Sequence, residues 1–231
     1  ETLSLVRSLD VPVLCIALTP AAQTPFLNHM ASETGGVVVP AKEAANLLDA
    51  YLEVFARVKD RTVLGSGQTV APGMATLELD PALAPYVERA SFILGREQAV
   101  VAQLVGPDGR EVRPNDPAVV FALTDDPRFV AMTLEQPPGG TWAFRLQGCG
   151  TVQPRAILRS RLRTEVSAPS SFHELGQPMP IAVRLLEEQP DGQTVKIIGE
   201  ASFSALITRP DGRQESLGCF YDDGSHGDVL A

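Results

Sequence analysis

The chain has 231 residues, 44% hydrophobic and 20% charged, with a formal net charge of −9 at pH 7. That length allows two domains and part of a third. The acidic balance argues against nucleic acid or an anionic membrane surface as partner, because both need clustered Lys and Arg. With 19 Gly, 19 Pro and only 6% aromatic residues, the composition suits short strands joined by tight turns.

Residues 1–9 carry Leu3, Leu5, Val6 and Leu9 at helical spacing. The run Val11-Pro12-Val13-Leu14-Cys15-Ile16-Ala17-Leu18 is apolar on both faces, as expected of a strand in a helix-covered parallel sheet. Thr24-Pro25 marks a helix start, Phe26, Leu27, Met30 and Ala31 form its buried stripe, and Gly35-Gly36 stops it. Val37-Val38-Val39 reads as a short strand. A second helix is predicted from about Lys42 to Lys59, with Leu47, Leu48, Tyr51, Leu52, Phe55 and Val58 on one buried face. About sixty residues of such α/β pattern are near the lower limit for independent folding. The expectation is the tail of a larger domain.

From Thr62 the chain changes character. A stretch rich in Gly, Ser, Thr and Pro opens a series of predicted strands: Met74–Leu79, Tyr86–Leu94, Val101–Val105, Val119–Leu123, Phe129–Leu134 and Trp142–Leu146. Trp142, the single tryptophan, is expected between sheets with Phe144 and Leu146 on its face. Further strands follow at Ile157–Val166, Ile181–Leu185, Val195–Ile198 and Ala201–Ile207.

One turn recurs: Gly106-Pro107-Asp108-Gly109-Arg110, Gln189-Pro190-Asp191-Gly192-Gln193 and Arg209-Pro210-Asp211-Gly212-Arg213. Proline presets φ, aspartate bonds its own backbone and glycine takes φ > 0, so each copy between β-prone runs predicts a hairpin. Asp108 and Asp211 stand about one sandwich domain apart, which suggests equivalent hairpins in consecutive sandwiches; the alternative is three unrelated surface turns, since such turns are common.

Val11-Pro12-Val13, Ile16, Ala17, Leu27, Ala31, Thr34-Gly35-Gly36, Val38 and Leu47 to Phe55 together resemble the C-terminal end of a von Willebrand factor type A domain. The order of Pro-Asp-Gly and then Pro138-Gly139-Gly140-Thr141-Trp142 looks like the immunoglobulin-like modules that often follow such domains in secreted proteins. The resemblance implies a multidomain, mainly β chain. A partial type A α/β segment (1–61) precedes an immunoglobulin-like antiparallel β-sandwich (62–153) and a second, incomplete one (154–231). Type A domains hold Mg²⁺ through a D-x-S-x-S motif and later loops. Those positions would precede Glu1, so none is carried onto a residue here.

The remaining site candidates are few. Asp222, Asp223 and Asp228, with His226, are oxygen-rich around glycines and could hold Ca²⁺ weakly. They lack EF-hand spacing, and Asp with Gly is equally what a polar hairpin requires. His29 and His173 stand beside no nucleophile motif, and Glu187-Glu188 would face opposite ways on a strand. Arg155, Arg159, Arg161 and Arg163 share one strand face with Ile157, expected to be solvated. Cys15, Cys149 and Cys219 form no CxxC pair. No stretch approaches a membrane span of about 18–20 apolar residues. Glu1-Thr2-Leu3 is not an initiator sequence, and the D-D-G ending lacks its usual following strand, so truncation is expected at both ends.

The function expected is a non-catalytic binding or adhesion protein, extracellular, periplasmic or at the cell surface, with a protein ligand and no cofactor within this chain. The alternative is an accessory scaffold for a catalytic domain outside it.

Overall fold

A computed structural model describes residues 11–18, 24–41, 46–65, 67–97, 99–167, 181–189, 194–196, 203–208 and 213–216. The fold is mainly β, and the chain divides into two compact units, Glu1–Ser160 and Arg161–Ala231.

The first unit opens with a small α/β layer. Strand β1 (Cys15–Ala17) pairs in parallel with β2 (Val38–Pro40), with helix α1 (Thr24–Ser32) between them in sequence. Parallel neighbours need such a crossover. The apolar run 11–18 yields only this three-residue strand. Pro12 has no N–H to give, and the Val13 N–H donates to Thr34 Oγ1 at 3.0 Å instead of to a neighbouring strand. Thr34-Gly35-Gly36 thereby gains a local explanation. Gly35 takes φ +69° past the end of α1, the Gly36 N–H donates to Ala31 O, and a Cβ on Gly36 would stand 1.9 Å from Val13 O.

Helix α2 (Leu47–Lys59) ends at Asp60, which adopts the left-handed conformation (φ 51°). Residues 42–45, where the sequence places its start, lie outside the described residues. Its apolar residues do not share one buried face. Leu47, Ala50 and Val54 pack with Val39 and Ala41 beside β2. Leu52 and Ala56 are buried as well, whereas Tyr51, Phe55 and Val58 are 58%, 46% and 61% exposed. A helix wedged between two surfaces needs two buried faces, and the third set is left to solvent.

The rest of the unit is a folded sheet. Its central strand, β9 (Gly140–Ser160), has 21 residues. Straight, it would reach about 70 Å, far beyond an ordinary strand. It bends instead. On one side run β3 (Thr62–Leu64) against its far end and β4 (Thr69–Leu79) against its near end. On the other side run β5 (Val87–Arg96) at the far end and β6 (Val100–Val105) at the near end. Two more strands extend the far half outward from β5, β8 (Phe129–Glu135) and then β7 (Val119–Leu123). Gly148 (φ +95°) and Gly150 (φ +147°) form the bend. A Cβ on Gly148 would meet Ala99 O at 2.1 Å, and one on Gly150 would meet Glu97 Oε2 at 2.6 Å. Pro154 falls where the flanking ribbon is interrupted between Leu64 and Thr69, so its missing N–H breaks no ladder on that side.

Alternation then fills the interior. Ala75, Leu77 and Leu79 of β4, Ala90, Phe92 and Leu94 of β5, Val130, Met132 and Leu134 of β8, and Trp142, Phe144 and Leu146 of β9 are all buried in one cluster. Phe92 is paired with Ala156, near the far end of β9 from Trp142, yet the two rings stack with centroids 4.4 Å apart. The two halves of the sheet therefore face each other across the core. Trp142 lies where the sequence places it, and its Nε1–H donates to Pro138 O at 3.0 Å.

The sequence-derived boundary at 61/62 falls just before β3, but the one at 153/154 falls inside β9. β9 runs on through that boundary because Gly148 pairs with Val100, Gly150 with Ala71 and Pro154 with Leu94, each from one side. The second unit contains an antiparallel sheet of β10 (Leu162–Ser167), β11 (Ala182–Glu188) and β12 (Thr194–Lys196). It also contains the antiparallel pair β13 (Leu206–Thr208) and β14 (Gln214–Ser216).

The recurring turn has one frame in all three places. The closing pairs are Val105↔Glu111, Glu188↔Thr194 and Thr208↔Gln214, each enclosing five residues with Pro-Asp-Gly at their centre. In the first copy Asp108 Oδ1 accepts from the Arg110 N–H at 3.0 Å and Gly109 takes φ +79°. Pro190–Gly192 and Pro210–Gly212 lie outside the described residues.

Candidate binding groove at the joint between helix and sheet

Arg155 is the one buried charged residue among those described, at 2% exposure. Because Ala156 and Leu158 point into the core, alternation turns Arg155 to the outer face of the folded sheet. There α2 covers it. Leu48 of α2 lies over Gly95, where a Cβ would come within 3.1 Å of Leu48 Cδ2. One helical residue further, Asp49 receives Arg155 in a two-pronged ion pair, Nε to Oδ1 at 2.5 Å and Nη2 to Oδ2 at 2.7 Å. Nη1 donates to Pro154 O at 2.7 Å and to Gly67 O at 3.0 Å. Gly67 (φ +76°) and Gly65 (φ +87°) shape the loop that brings that carbonyl in.

The solvated arginine face expected from sequence is thus corrected at its first member. Alternation places Arg155 on the outer face as expected, but a helix remote in sequence covers it there. Arg159 remains half-exposed and pairs with Glu88 at 2.7 Å. In the second unit Arg161 pairs with Glu187 at 3.2 Å, which ties one member of the Glu187-Glu188 doublet into the sheet.

Beside the ion pair lies an open groove of about 600 Å³ between the end of α2 and the loop after β3. Ala56, Val63 and Gly65 supply its small and apolar wall, and Asp49, Glu53, Arg57, Asp60, Arg61 and Arg155 its charge. Arg57 is held by Glu53 at 3.0 Å across one helical turn. Of its charged residues, Asp49 with Arg155 and Glu53 with Arg57 are joined in ion pairs. Among the residues lining it there is no histidine, serine, cysteine or lysine.

The other candidates distribute as follows. Asp222, Asp223, His226 and Asp228 lie outside the described residues, as do His173 and Cys219. Among the described residues, no group of three or more His, Cys, Asp or Glu is placed to hold a metal ion. His29 is exposed on α1, 3.9 Å from Glu33. Cys15 is half-buried and Cys149 exposed, both as free thiols. No helix among the described residues is long and apolar enough to cross a membrane.

The architecture defines a mainly β protein with a helix fastened to the outside of a folded sheet. Comparison with known protein families and with curated proteins gave no match. Among solved structures the chain is similar to a Bacillus licheniformis lipase, BlEst2, in its propeptide form, with a TM-score of 0.29 and 10% identity. The likeness covers 68% of this chain and 43% of the lipase chain, so the chain spans less than half of that protein. At that TM-score it informs neither fold nor activity.

Proposed function

We propose that this chain is a non-catalytic binding or adhesion protein that works outside the cytoplasm. In this reading residues 1–61 belong to a type A domain, and the β regions after them are immunoglobulin-like modules that carry it. The observation that supports it best is the Arg155–Asp49 joint. It fastens the α/β layer to the folded sheet through a part-buried, two-pronged contact, as a module that presents a binding domain at a fixed angle requires. The partner is a protein surface, in keeping with the net charge of −9 and the mixed-charge groove. Mg²⁺ belongs to the type A site if its upstream residues exist, and Ca²⁺ at Asp222, Asp223 and Asp228 is at most weak, about 10⁻⁴–10⁻³ M.

The test is surface-plasmon binding of the purified protein to a panel of immobilised extracellular-matrix and cell-surface proteins, with Mg²⁺, with Ca²⁺ and with EDTA. Saturable binding to a defined protein is expected, alongside no turnover of chromogenic ester, peptide or glycoside substrates. Turnover abolished by substitution of a side chain of this chain would overturn the proposal.

A further inference from the structure

We draw no further inference here: the strongest candidate, the exposed apolar stripe of Tyr51, Phe55 and Val58 along the outer side of α2, is an unpartnered helix face, and nothing among the described residues shows what covers it.

Discussion

Arg155 and Asp49 are 106 residues apart in the chain and meet in a two-pronged ion pair on the outer face of the folded sheet. The two ends of that contact differ. Arg155 is 2% exposed, whereas Asp49 keeps 42% of its side-chain surface in water. Removing the aspartate leaves a guanidinium buried with only the Gly67 and Pro154 carbonyls. Removing the arginine leaves a carboxylate that water can reach.

The asymmetry predicts an order of cost. Breaking a fully buried pair from one side costs about 3–5 kcal/mol. Asp49→Ala should fall somewhat below that range, at about 2–3 kcal/mol, because water reaches part of the site. Arg155→Met keeps most of the packing volume and should cost less. Urea denaturation of both variants checks the order. Equal midpoints, or a larger loss for Arg155→Met, would show that the joint is held by packing and not by charge.

Trp142 and Phe92 hold the two halves of the sheet together from inside. Trp142→Ala should cost about 3–5 kcal/mol. The native protein should emit at the short wavelength of a buried indole and shift to the red on unfolding. A double-mutant cycle with Phe92→Leu and Trp142→Leu should return a coupling of about 0.5–1.5 kcal/mol from the stacked rings. A coupling of zero would mean that they share a core without interacting.

Much of this architecture is legible in the residues themselves. Alternating apolar residues mark β5 and the tryptophan strand, because a half-buried strand repeats every second residue whatever its partner, and short apolar runs mark β7 and β8. Pro-Asp-Gly marks its hairpins because turn chemistry is local. What the sequence hides is non-local. Arg155 sits among arginines expected to face water, and nothing within β9 announces that Asp49 will arrive to bury it. Tyr51, Phe55 and Val58 continue an apolar helical pattern that two separate surfaces, not one, have to share out. The continuity of β9 is hidden too: the sequence places a new segment from residue 154, whereas the strands that carry β9 across that point come from elsewhere in the chain. Asp222, Asp223 and Asp228 stay an expectation from sequence.

The bend in β9 rests on glycines for two separable reasons, and substitution can tell them apart. Gly109, in the first Pro-Asp-Gly turn, has φ +79° but open space where a Cβ would go. Gly109→Ala should therefore lose only the conformational term, about 1 kcal/mol. Gly148→Ala adds a Cβ 2.1 Å from the backbone oxygen of Ala99, which cannot rotate away as a side chain would. Its cost should exceed that of Gly109→Ala by at least about 1 kcal/mol. Thermal melts of the two variants decide it, and a Gly148→Ala variant as stable as Gly109→Ala would remove the steric account of the bend.

The α/β layer gives the last prediction. Its own core, among the described residues, is small: Val39, Ala41 and Ala50, with Ile16, Val37, Leu47 and Val54 against them. Burial of this size offers only a few kcal/mol at about 25 cal/mol per Å². The entropy of ordering some fifty residues is far larger, at about 1–2 kcal/mol for each backbone unit. In the whole protein α2 also rests on the folded sheet, through Leu48 over Gly95 and Asp49 on Arg155. Cut from that surface, residues 1–61 should not hold a stable fold. Amide exchange separates the cases. In the full chain the N–H groups of Cys15 and Ala41, bonded to Val37 O and Ala17 O, should exchange slowly. In the isolated segment they should exchange at nearly the rate of an unstructured peptide. Slow exchange there, in a monomer, would show that the α/β layer is a domain in its own right and that the joint at Arg155 adds nothing to its stability.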